Sequence, residues 1–362
     1  MKVYGEPTRS IRSLDNGTAV EIVDQTLLPY RFEKRVLGDW RDCVEAIRTM
    51  RVRGAPLIGI TAAWAVVLAV KENPENDALL KAAEVIANAR PTAVNLSWAV
   101  RRMMSTLLPR DPALRFEAAV KTAEAMTQED VMTCRAIGEA GMTLISDLYA
   151  RLRRPVNVLT HCNAGWLATV DYGTALSPIY MAFEQGTPLH VWVDETRPRN
   201  QGLLTAWELG QHGVPYTLVA DNAGGQLMQQ CDVDLVIVGA DRITRRGDVA
   251  NKIGTYLKAL AAVDNEVPFY VAAPSSTIDW TLNDGKREIP IENRAASELL
   301  VVNGVGSDGE TRTVQIAAPE VAVANPAFDV THNRFVTGII TERGIVKPTD
   351  LTAVFADLLP KA

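Results

Sequence analysis

The stretch "DLVIVGADRITRRGDVANK", residues 234–252, begins as an apolar segment and becomes highly charged within a few residues. The apolar run has the length and composition of a strand buried in a parallel sheet. Asp241 follows it directly, then several arginines, and Asn251 and Lys252 close the stretch. A solvated loop is one interpretation of these charges. A binding site for a small anion at the end of a buried strand is the other.

The same pattern recurs along the second half of the chain. From residue 154 onward, apolar runs alternate with stretches of helical periodicity, which is typical of βαβ units with right-handed crossovers. The predicted strands are residues 156–160, 189–193, 216–220, 234–238, 269–273 and 333–341. The sequence therefore predicts a Rossmann-like, doubly wound parallel sheet.

The first part of the chain has a different pattern. "DNG" (15–17) lies between two strand-like segments and predicts a β-hairpin. Residues 40–152 are mostly helical in pattern, and the 14-residue apolar run at 57–70 is short for a membrane span and predicts a buried helix. The predicted fold is α/β, with a small, mainly helical N-terminal domain carrying the hairpin (residues 1–130) and the Rossmann-like catalytic domain (131–362), joined at a long helix.

Composition excludes several classes of function. The net charge is −6, which argues against broad nucleic-acid binding. The four cysteines form no CxxC pair and the four histidines are scattered, so we expect a reducing compartment, the cytoplasm, and no metal site. The N-terminus lacks a secretory-signal pattern, and neither GxGxxG nor GxxxxGK[ST] occurs in a fitting context. We therefore expect no membrane partner, no dinucleotide and no nucleoside triphosphate.

Polar segments follow five of the predicted strands. Ligands of an open parallel sheet bind outside the carboxyl ends of its strands, so these segments are expected to converge on one site. They are residues 161–165 (HCNAG), 194–202 (DETRPRNQG), 221–225 (DNAGG), 240–252 (ADRITRRGDVANK) and 273–279 (APSSTID).

Two residues in these segments are candidate acid/base groups. Cys162 is either a small core thiol or a group whose reactivity is set by nearby charge. Asp241 is a helix N-cap, an acid whose pKa is raised by its apolar setting, or both.

Several basic and amide side chains are candidates for binding an anion. Guanidinium groups bind phosphate in two-point fashion, although surface arginines are equally compatible with the pattern. Asn251 and Lys252 are expected to open a helix, whose N-terminus favours anions. The other candidates are Arg51, Arg53, Arg90, Arg197, Arg199 and Gln201.

With these segments in view, the chain resembles the methylthioribose-1-phosphate isomerase family. That family is related to the ribose-1,5-bisphosphate isomerases and to the regulatory subunits of the initiation-factor exchange complex. The matching segments span nearly the whole chain: "RVRGAPLIG" (51–59), "RPTAVNL" (90–96), "THCNAG" (160–165), "VDETRPRNQG" (193–202), "LTAWEL" (204–209), "VGADRI" (238–243), "GDVANKIGTY" (247–256), "PFYVAAP" (268–274) and "NPAFDVT" (325–331).

The resemblance implies an aldose–ketose isomerase that converts 5-methylthioribose 1-phosphate to the ribulose 1-phosphate by moving hydrogen from C2 to C1, in the salvage of 5′-modified nucleosides. It implies a homodimer that uses no cofactor. It implies Cys162 and Asp241 as the catalytic pair. The substrate-binding positions that it implies are Arg53, Gly54, Ala55, Arg90, Gln201, Asn251 and Lys252.

The chain departs from the family pattern at three places. Trp166 stands where a small residue is usual, the segment 201–204 is shortened, and His332 replaces an expected proline. Trp166 either packs against the sheet or reshapes the pocket for the C5 substituent, which makes it a specificity candidate. A preference for 5-deoxyribose 1-phosphate is the first alternative. Ribose-1,5-bisphosphate isomerase would require more basic residues, and a non-catalytic subunit is expected to lack Cys162 and Asp241.

Overall fold

The N-terminal part of the protein combines short strands with a bundle of helices. The computed structural model describes residues 1–90 and 94–359. The strands are β1 (Lys2–Val3), β2 (Glu6–Pro7), β3 (Ile11–Leu14), β4 (Ala19–Val23) and β5 (Lys34–Leu37). The helices are α1 (Trp40–Arg48), α2 (Ala55–Glu72), α3 (Asn76–Ala87), α4 (Val94–Leu107) and α5 (Arg115–Leu152).

The predicted hairpin is confirmed. β3 pairs antiparallel with β4, and β5 adds a third strand. The turn between β3 and β4 places Asn16 at φ 55°, in the left-handed region that asparagine tolerates better than most residues.

Helix α2 is the centre of the N-terminal core. It is long and apolar enough to cross a membrane by composition, but 89% of it is buried inside the protein. Helices α1, α3, α4 and α5 pack around it, and their apolar side chains form one hydrophobic cluster. Because α2 is surrounded by other helices, its apolar residues need not lie on one face.

The C-terminal part carries the large sheet and its covering helices. Its strands are β6 (Val156–Thr160), β7 (Leu189–Asp194), β8 (Tyr216–Val219), β9 (Leu235–Val238), β10 (Arg242–Thr244), β11 (Val249–Lys252), β12 (Phe269–Ala272), β13 (Ile278–Asp279), β14 (Val301–Val305), β15 (Thr311–Gln315), β16 (Phe328–Thr331), β17 (Gly338–Thr341) and β18 (Gly344–Val346). Its helices are α6 (Ser177–Glu184), α7 (Gln201–His212), α8 (Ala223–Gln229), α9 (Thr255–Asp264), α10 (Gly285–Glu288), α11 (Ser297–Leu300) and α12 (Leu351–Val354).

The large sheet has the strand order β18-β17-β12-β9-β6-β7-β8. All neighbours are parallel except β18, which is antiparallel to β17. The chain winds outward from β6 through β7 and β8, then returns to the other side of β6 with β9. The sheet is doubly wound, as predicted, and its topological switch point lies between β6 and β9.

Hydrophobic clusters cover both faces of this sheet. Consecutive residues of β9 alternate between them: Ile237 belongs to one cluster, and Val236 and Val238 belong to the other. This alternation explains why β9 is apolar at every position rather than at every second one.

The sequence missed part of the architecture. A four-stranded sheet of order β13-β10-β11-β16 and the hairpin β14–β15 were not predicted. The last predicted strand, 333–341, is shorter than expected, because a 3₁₀ turn occupies Asn333–Phe335 and β17 begins at Gly338.

Helix α5 passes between the two parts of the molecule. Met126 packs in the N-terminal cluster, whereas Ile137 and Ile145 pack in a cluster against the sheet. The boundary near residue 130 stays a prediction, and this change of packing partner along one helix is consistent with it.

Candidate functional site

The main candidate site lies at the switch point of the sheet. It is a pocket of about 610 Å³, including the space open to solvent. Its walls come from the segments after β6 and β9 and from the start of α2, so both parts of the chain contribute. It contains Arg53, Gly54, Ala55, Arg90, Cys162, Gln201, Asp241, Asn251 and Lys252. The structure thus brings together every catalytic and substrate-binding residue that the family resemblance implies, whereas Trp166 lies outside the pocket.

Cys162 is held in an unusual backbone conformation. Its φ is 68°, a left-handed value that is uncommon for a residue other than glycine, asparagine or aspartate. Its N–H donates to Thr196 Oγ1 at 2.9 Å, and its carbonyl oxygen accepts from Thr205 Oγ1 at 2.8 Å. Both threonines are fully buried. Two side chains from other segments therefore fix this backbone, as is common where strain is retained at a functional site.

His161, immediately before Cys162, was missed as a site residue. Its Nδ1 lies 2.9 Å from Asp194 Oδ2, and its Nε2 lies 2.9 Å from the carbonyl oxygen of Ile253. The imidazole is buried and joins the loop after β6 to the residue that follows Lys252. The histidine directly before a candidate catalytic cysteine was the available signal.

His161, Asp194 and Asp221 form a cluster with ligand atoms within 4.8 Å of one another. Lys258 already fills this region, since its Nζ lies 3.3 Å from Asp194 Oδ2 and donates to the carbonyl oxygen of Asp221. A buried ammonium group in that position repels a second cation. The donor set therefore does not fit a divalent metal, and the absence of a metal site stays a prediction.

Asp241 is held by backbone pairing rather than by side chains. Its N–H donates to the carbonyl oxygen of Ala250 at 2.9 Å, at the start of the β10–β11 pairing. The helix N-cap interpretation is wrong, because a strand, β10, follows Asp241. Burial raises the pKa of the Asp241 carboxyl, whereas Lys252, Arg90 and Arg53 act to lower it.

Asn251 and Lys252 end strand β11; the expectation that they open a helix is wrong. Helix α9 begins at Thr255, after Gly254 at φ 103°. The ladder with β16 holds both residues, and the Lys252 ammonium lies 4.7 Å from the centre of the Phe328 ring. Burial lowers the pKa of Lys252, and the nearby Cys162 and Asp241 counteract this effect.

The same charges act on the thiol. Burial raises the pKa of Cys162, and the positive charges of Lys252 and Arg53 oppose that rise. The pocket thus holds two groups whose protonation depends on shared cations, which is the setting expected of acid/base chemistry.

The segment before α2 approaches the sheet closely. Gly54 has φ 88°, and a Cβ placed there would lie 2.5 Å from the Ala168 backbone. Only glycine fits both conditions. The adjacent Arg53 directs its guanidinium onto Asn163, donating to its carbonyl oxygen at 3.1 Å and to its Oδ1.

Three buried polar atoms of the pocket residues lack hydrogen-bond partners among the described residues. They are Arg53 Nε, Arg90 Nε and Gln201 Oε1. Buried polar atoms in native proteins normally have a hydrogen-bond partner. Three unpartnered atoms on residues that line one pocket therefore indicate a polar ligand. Two of the three belong to guanidinium groups, which favours an anion.

Trp166 does not line the pocket. Its side chain is 1% exposed and packs in the core, 6.2 Å from the Trp207 ring. The structure thus favours the packing interpretation and gives Trp166 no contact through which to select a substrate directly.

Three other candidate arginines contact protein groups outside the pocket. Arg197 donates to the Leu299 carbonyl oxygen, Arg199 pairs with Glu298 at 2.9 Å, and Arg51 pairs with Glu45 at 3.1 Å. They are not among the pocket residues. Of the five polar segments, residues 221–225 do not line the pocket either. The Asp221 carboxylate instead accepts hydrogen bonds from the Thr196 and Arg197 N–H groups.

The chain is similar to known proteins over nearly all of its length. The Initiation factor 2 subunit family matches residues 51–348. Methylthioribose-1-phosphate isomerase of Methylobacterium nodulans is 57% identical over 97% of this chain and 96% of its own. The structure resembles 5-methylthioribose 1-phosphate isomerase from Pyrococcus horikoshii OT3, with TM-score 0.83, 38% identity and 97% coverage of both chains. It also resembles initiation factor eIF-2B subunit delta from A. fulgidus, with TM-score 0.78, 39% identity and coverage of 97% and 100%. The chain belongs to the Initiation factor 2 subunit family, and within it to the methylthioribose-1-phosphate isomerases.

Proposed function

We propose that this protein isomerises 5-methylthioribose 1-phosphate to 5-methylthioribulose 1-phosphate. The observation that carries the proposal is the convergence of Cys162 and Asp241 with Arg53, Arg90 and Lys252 in one pocket at the switch point. The three cations suit a phosphate, and the thiol and carboxyl groups suit proton transfer next to it.

The chemistry requires an acid and a base. Phosphate on C1 blocks ordinary opening of the sugar ring, so the ring oxygen must be protonated as its bond to C1 breaks. We assign this proton to Asp241, because burial raises its pKa and keeps the carboxyl protonated closer to neutral pH.

Cys162 is assigned to the carbon centre. Its thiolate, which the positive charges of Lys252 and Arg53 favour against the effect of burial, removes the proton from C2, and the electron pair forms an enol phosphate between C1 and C2. The C2 hydroxyl then returns a proton to Asp241 as C2 becomes a carbonyl, and Cys162 delivers its proton to C1. The net change moves one hydrogen from C2 to C1, and both residues regain their starting states.

A second candidate substrate is 5-deoxyribose 1-phosphate. The pocket shares Met50, Arg53 and Gln201 with a wider cleft of about 1910 Å³, so it has an open side through which C5 substituents of different length can extend. Trp166, the residue that the sequence offered as a selector, is not part of either wall.

The test is turnover of each sugar phosphate by the purified protein, followed by phosphorus and proton NMR in D₂O. We expect ketose 1-phosphate from the methylthio substrate, with deuterium at C1 from exchange at the thiol. Deuterium at C1 would support the proton route, because a hydride passes from C2 to C1 without exchange with solvent. No turnover of either sugar, with phosphate binding intact, would reject the proposed function in favour of a ribose-1,5-bisphosphate isomerase or a non-catalytic subunit.

The proposal includes a homodimeric, cytoplasmic enzyme that uses neither a metal nor a cofactor. Light scattering on the purified protein tests the dimer. Turnover after exhaustive treatment with a chelator tests the metal.

A further inference from the structure

Glu208 is a buried carboxylate outside the pocket that the proposed reaction does not use. It lies on α7 with 1% of its surface exposed. Oε1 accepts the Leu167 N–H at 3.0 Å and Asn163 Nδ2 at 2.9 Å, and Oε2 accepts the Trp166 N–H and the Tyr180 hydroxyl, both at 3.0 Å. Burying a carboxylate is costly, and the four donors both offset that cost and hold the surrounding groups in place.

The carboxylate is linked to the pocket through Asn163. Asn163 Nδ2 donates to Glu208 Oε1 and, at 3.1 Å, to Thr205 Oγ1, so its Oδ1 faces the opposite way. That oxygen and the Asn163 carbonyl oxygen both accept from the Arg53 guanidinium. Glu208 therefore fixes the orientation of the amide, and Asn163 in turn holds the Nη1 and Nη2 groups of the Arg53 guanidinium.

Gly165 provides the space that this arrangement needs. A Cβ at residue 165 would lie 1.8 Å from Glu208 Oε2. The glycine of "HCNAG" and the glutamate of "LTAWEL", 43 positions apart in the sequence, are therefore in close contact, and a larger side chain at residue 165 would displace the Glu208 carboxylate.

Charge supports the same relation. Burial raises the pKa of Glu208 to about 7, while the donors Asn163, Leu167 and Tyr180 and the positive charge of Arg53 favour its ionised form. Arg53 is itself buried and shares the pocket with two other cations, so a nearby anion offsets part of the cost of keeping it charged.

We propose that Glu208 is a positioning residue, which aims the Arg53 guanidinium at the substrate phosphate through Asn163. The proposal rests on the proposed function only in naming the phosphate as the ligand of Arg53. Binding of inorganic phosphate tests it without any turnover.

The experiment is Glu208→Gln, with Kd for inorganic phosphate measured by calorimetry and with kcat, KM and Tm measured separately. A glutamine cannot accept at both positions, so Asn163 or the Trp166 N–H loses its partner. We expect Kd for phosphate and KM for the sugar phosphate to rise about tenfold while kcat changes less than about threefold, as expected for loss of binding made equally in ground and transition states.

The matched control is Tyr180→Phe, which removes a donor from the same carboxylate at the end away from Asn163. It is expected to lower Tm while phosphate affinity stays within about twofold of wild type. Equal loss of phosphate affinity in both variants would mean that Glu208 acts only through stability, and would overturn the proposal.

Two further variants keep the test decisive. Asn163→Ser breaks the link while Glu208 keeps its other three donors, and it is expected to reproduce the loss of phosphate affinity, even if Glu208→Gln fails to fold. In an Arg53→Lys background, Glu208→Gln should add less than about twofold, because its target is already gone. Additive losses would contradict the proposed link. Absence of sugar turnover in the wild-type protein would count against the proposed reaction alone, whereas the phosphate affinities of the variants decide the positioning role of Glu208.

Discussion

Cys162 and Asp241 follow adjacent parallel strands of one sheet, yet their backbones are held in different ways. Asp241 follows β9, and its N–H enters an antiparallel ladder whose partner, Ala250, is nine residues away. Cys162 follows β6, and two threonine hydroxyls hold it in a left-handed conformation from 34 and 43 residues away.

The difference separates local from long-range support. A backbone ladder tolerates many side chains, because it uses groups that every residue except proline carries. A loop held by hydroxyl, imidazole and carboxylate groups depends on particular side chains from several segments. Activity should therefore be lost when side chains far from the Cys162 loop (residues 161–176) are substituted. In the Asp241 loop (residues 239–241), activity should depend mainly on Asp241 itself.

The largest expected effect is on the side with backbone support. Asp241→Asn keeps the shape of the side chain and leaves the Asp241 N–H bonded to Ala250, but it removes the acid. We expect kcat to fall by about 10² to 10⁴-fold, the usual contribution of a general acid, with Tm nearly unchanged. Unchanged turnover of the sugar phosphate would rule out the assignment of Asp241.

Thr196→Val tests the side-chain support of Cys162. The variant keeps the volume but removes the acceptor of the Cys162 N–H, leaving a buried donor unpaired at a cost of about 1–3 kcal/mol. We expect kcat to fall roughly 10 to 100-fold, because displacement of a reacting group by about 1 Å costs up to 10²-fold. Steady-state kinetics and thermal unfolding measure the two effects.

A matched variant exists on the Asp241 side. Thr244 is also fully buried, and its Oγ1 accepts a backbone N–H, from Asp248 at 3.1 Å. Thr244→Val should lower Tm about as much as Thr196→Val does, with kcat within about threefold of wild type, because Asp241 does not depend on that hydroxyl. Similar losses of kcat in both variants would abolish the distinction between the two loops.

Lys252 links the two residues electrostatically, because its positive charge lowers the pKa of both Cys162 and Asp241. Its ammonium lowers the pKa of Cys162 against the effect of burial, so Lys252→Gln should raise the pKa of that thiol further. The rate of iodoacetamide alkylation against pH reports it, in a Cys231→Ser background that removes the exposed thiol. We expect the midpoint to move to higher pH in Lys252→Gln and to stay in place in Lys71→Gln, on the outer end of α2. A midpoint that falls or does not move would show that Lys252 does not act on the thiol.

The sequence predicted the side of the site that depends on local pattern. The apolar β9 followed by Asp241, the hairpin at Asp15–Gly17 and the glycine before α2 are all signalled within a few residues. The pocket could be placed because the ends of parallel strands converge.

The support of Cys162 was not predictable in the same way. Thr196, Thr205 and Glu208 all lie at least 34 residues beyond Cys162 in the sequence, and only the tertiary structure brings them to its loop. One signal was present: Glu208 interrupts the apolar side of α7 next to the buried Leu209. Asn251 and Lys252 were misread because the positive φ of Gly254 separates β11 from α9 and delays the helix to Thr255. Short polar strands such as β11 lack the alternation by which strands are recognised.

The smallest expected effect comes from the outermost support of the Cys162 loop. Asp130, on α5, accepts the Val170 N–H at 2.8 Å, and burial raises its pKa to about 7. Because the folded protein holds this proton more tightly than the unfolded chain, stability falls as pH rises from about 4 to about 7, and the full cost remains above pH 7. Asp130→Asn keeps an acceptor for Val170 but has no charge to bury. It should raise stability by roughly 1 kcal/mol at pH 8, with little difference from wild type at pH 4 and with kcat unchanged.

Thermal unfolding at the two pH values measures this, with the exposed Asp147→Asn on the same helix as the control. A variant that is less stable at pH 8, or that loses activity, would show that the Asp130 carboxylate itself is needed to hold the loop, which would extend the side-chain dependence of Cys162 as far as α5.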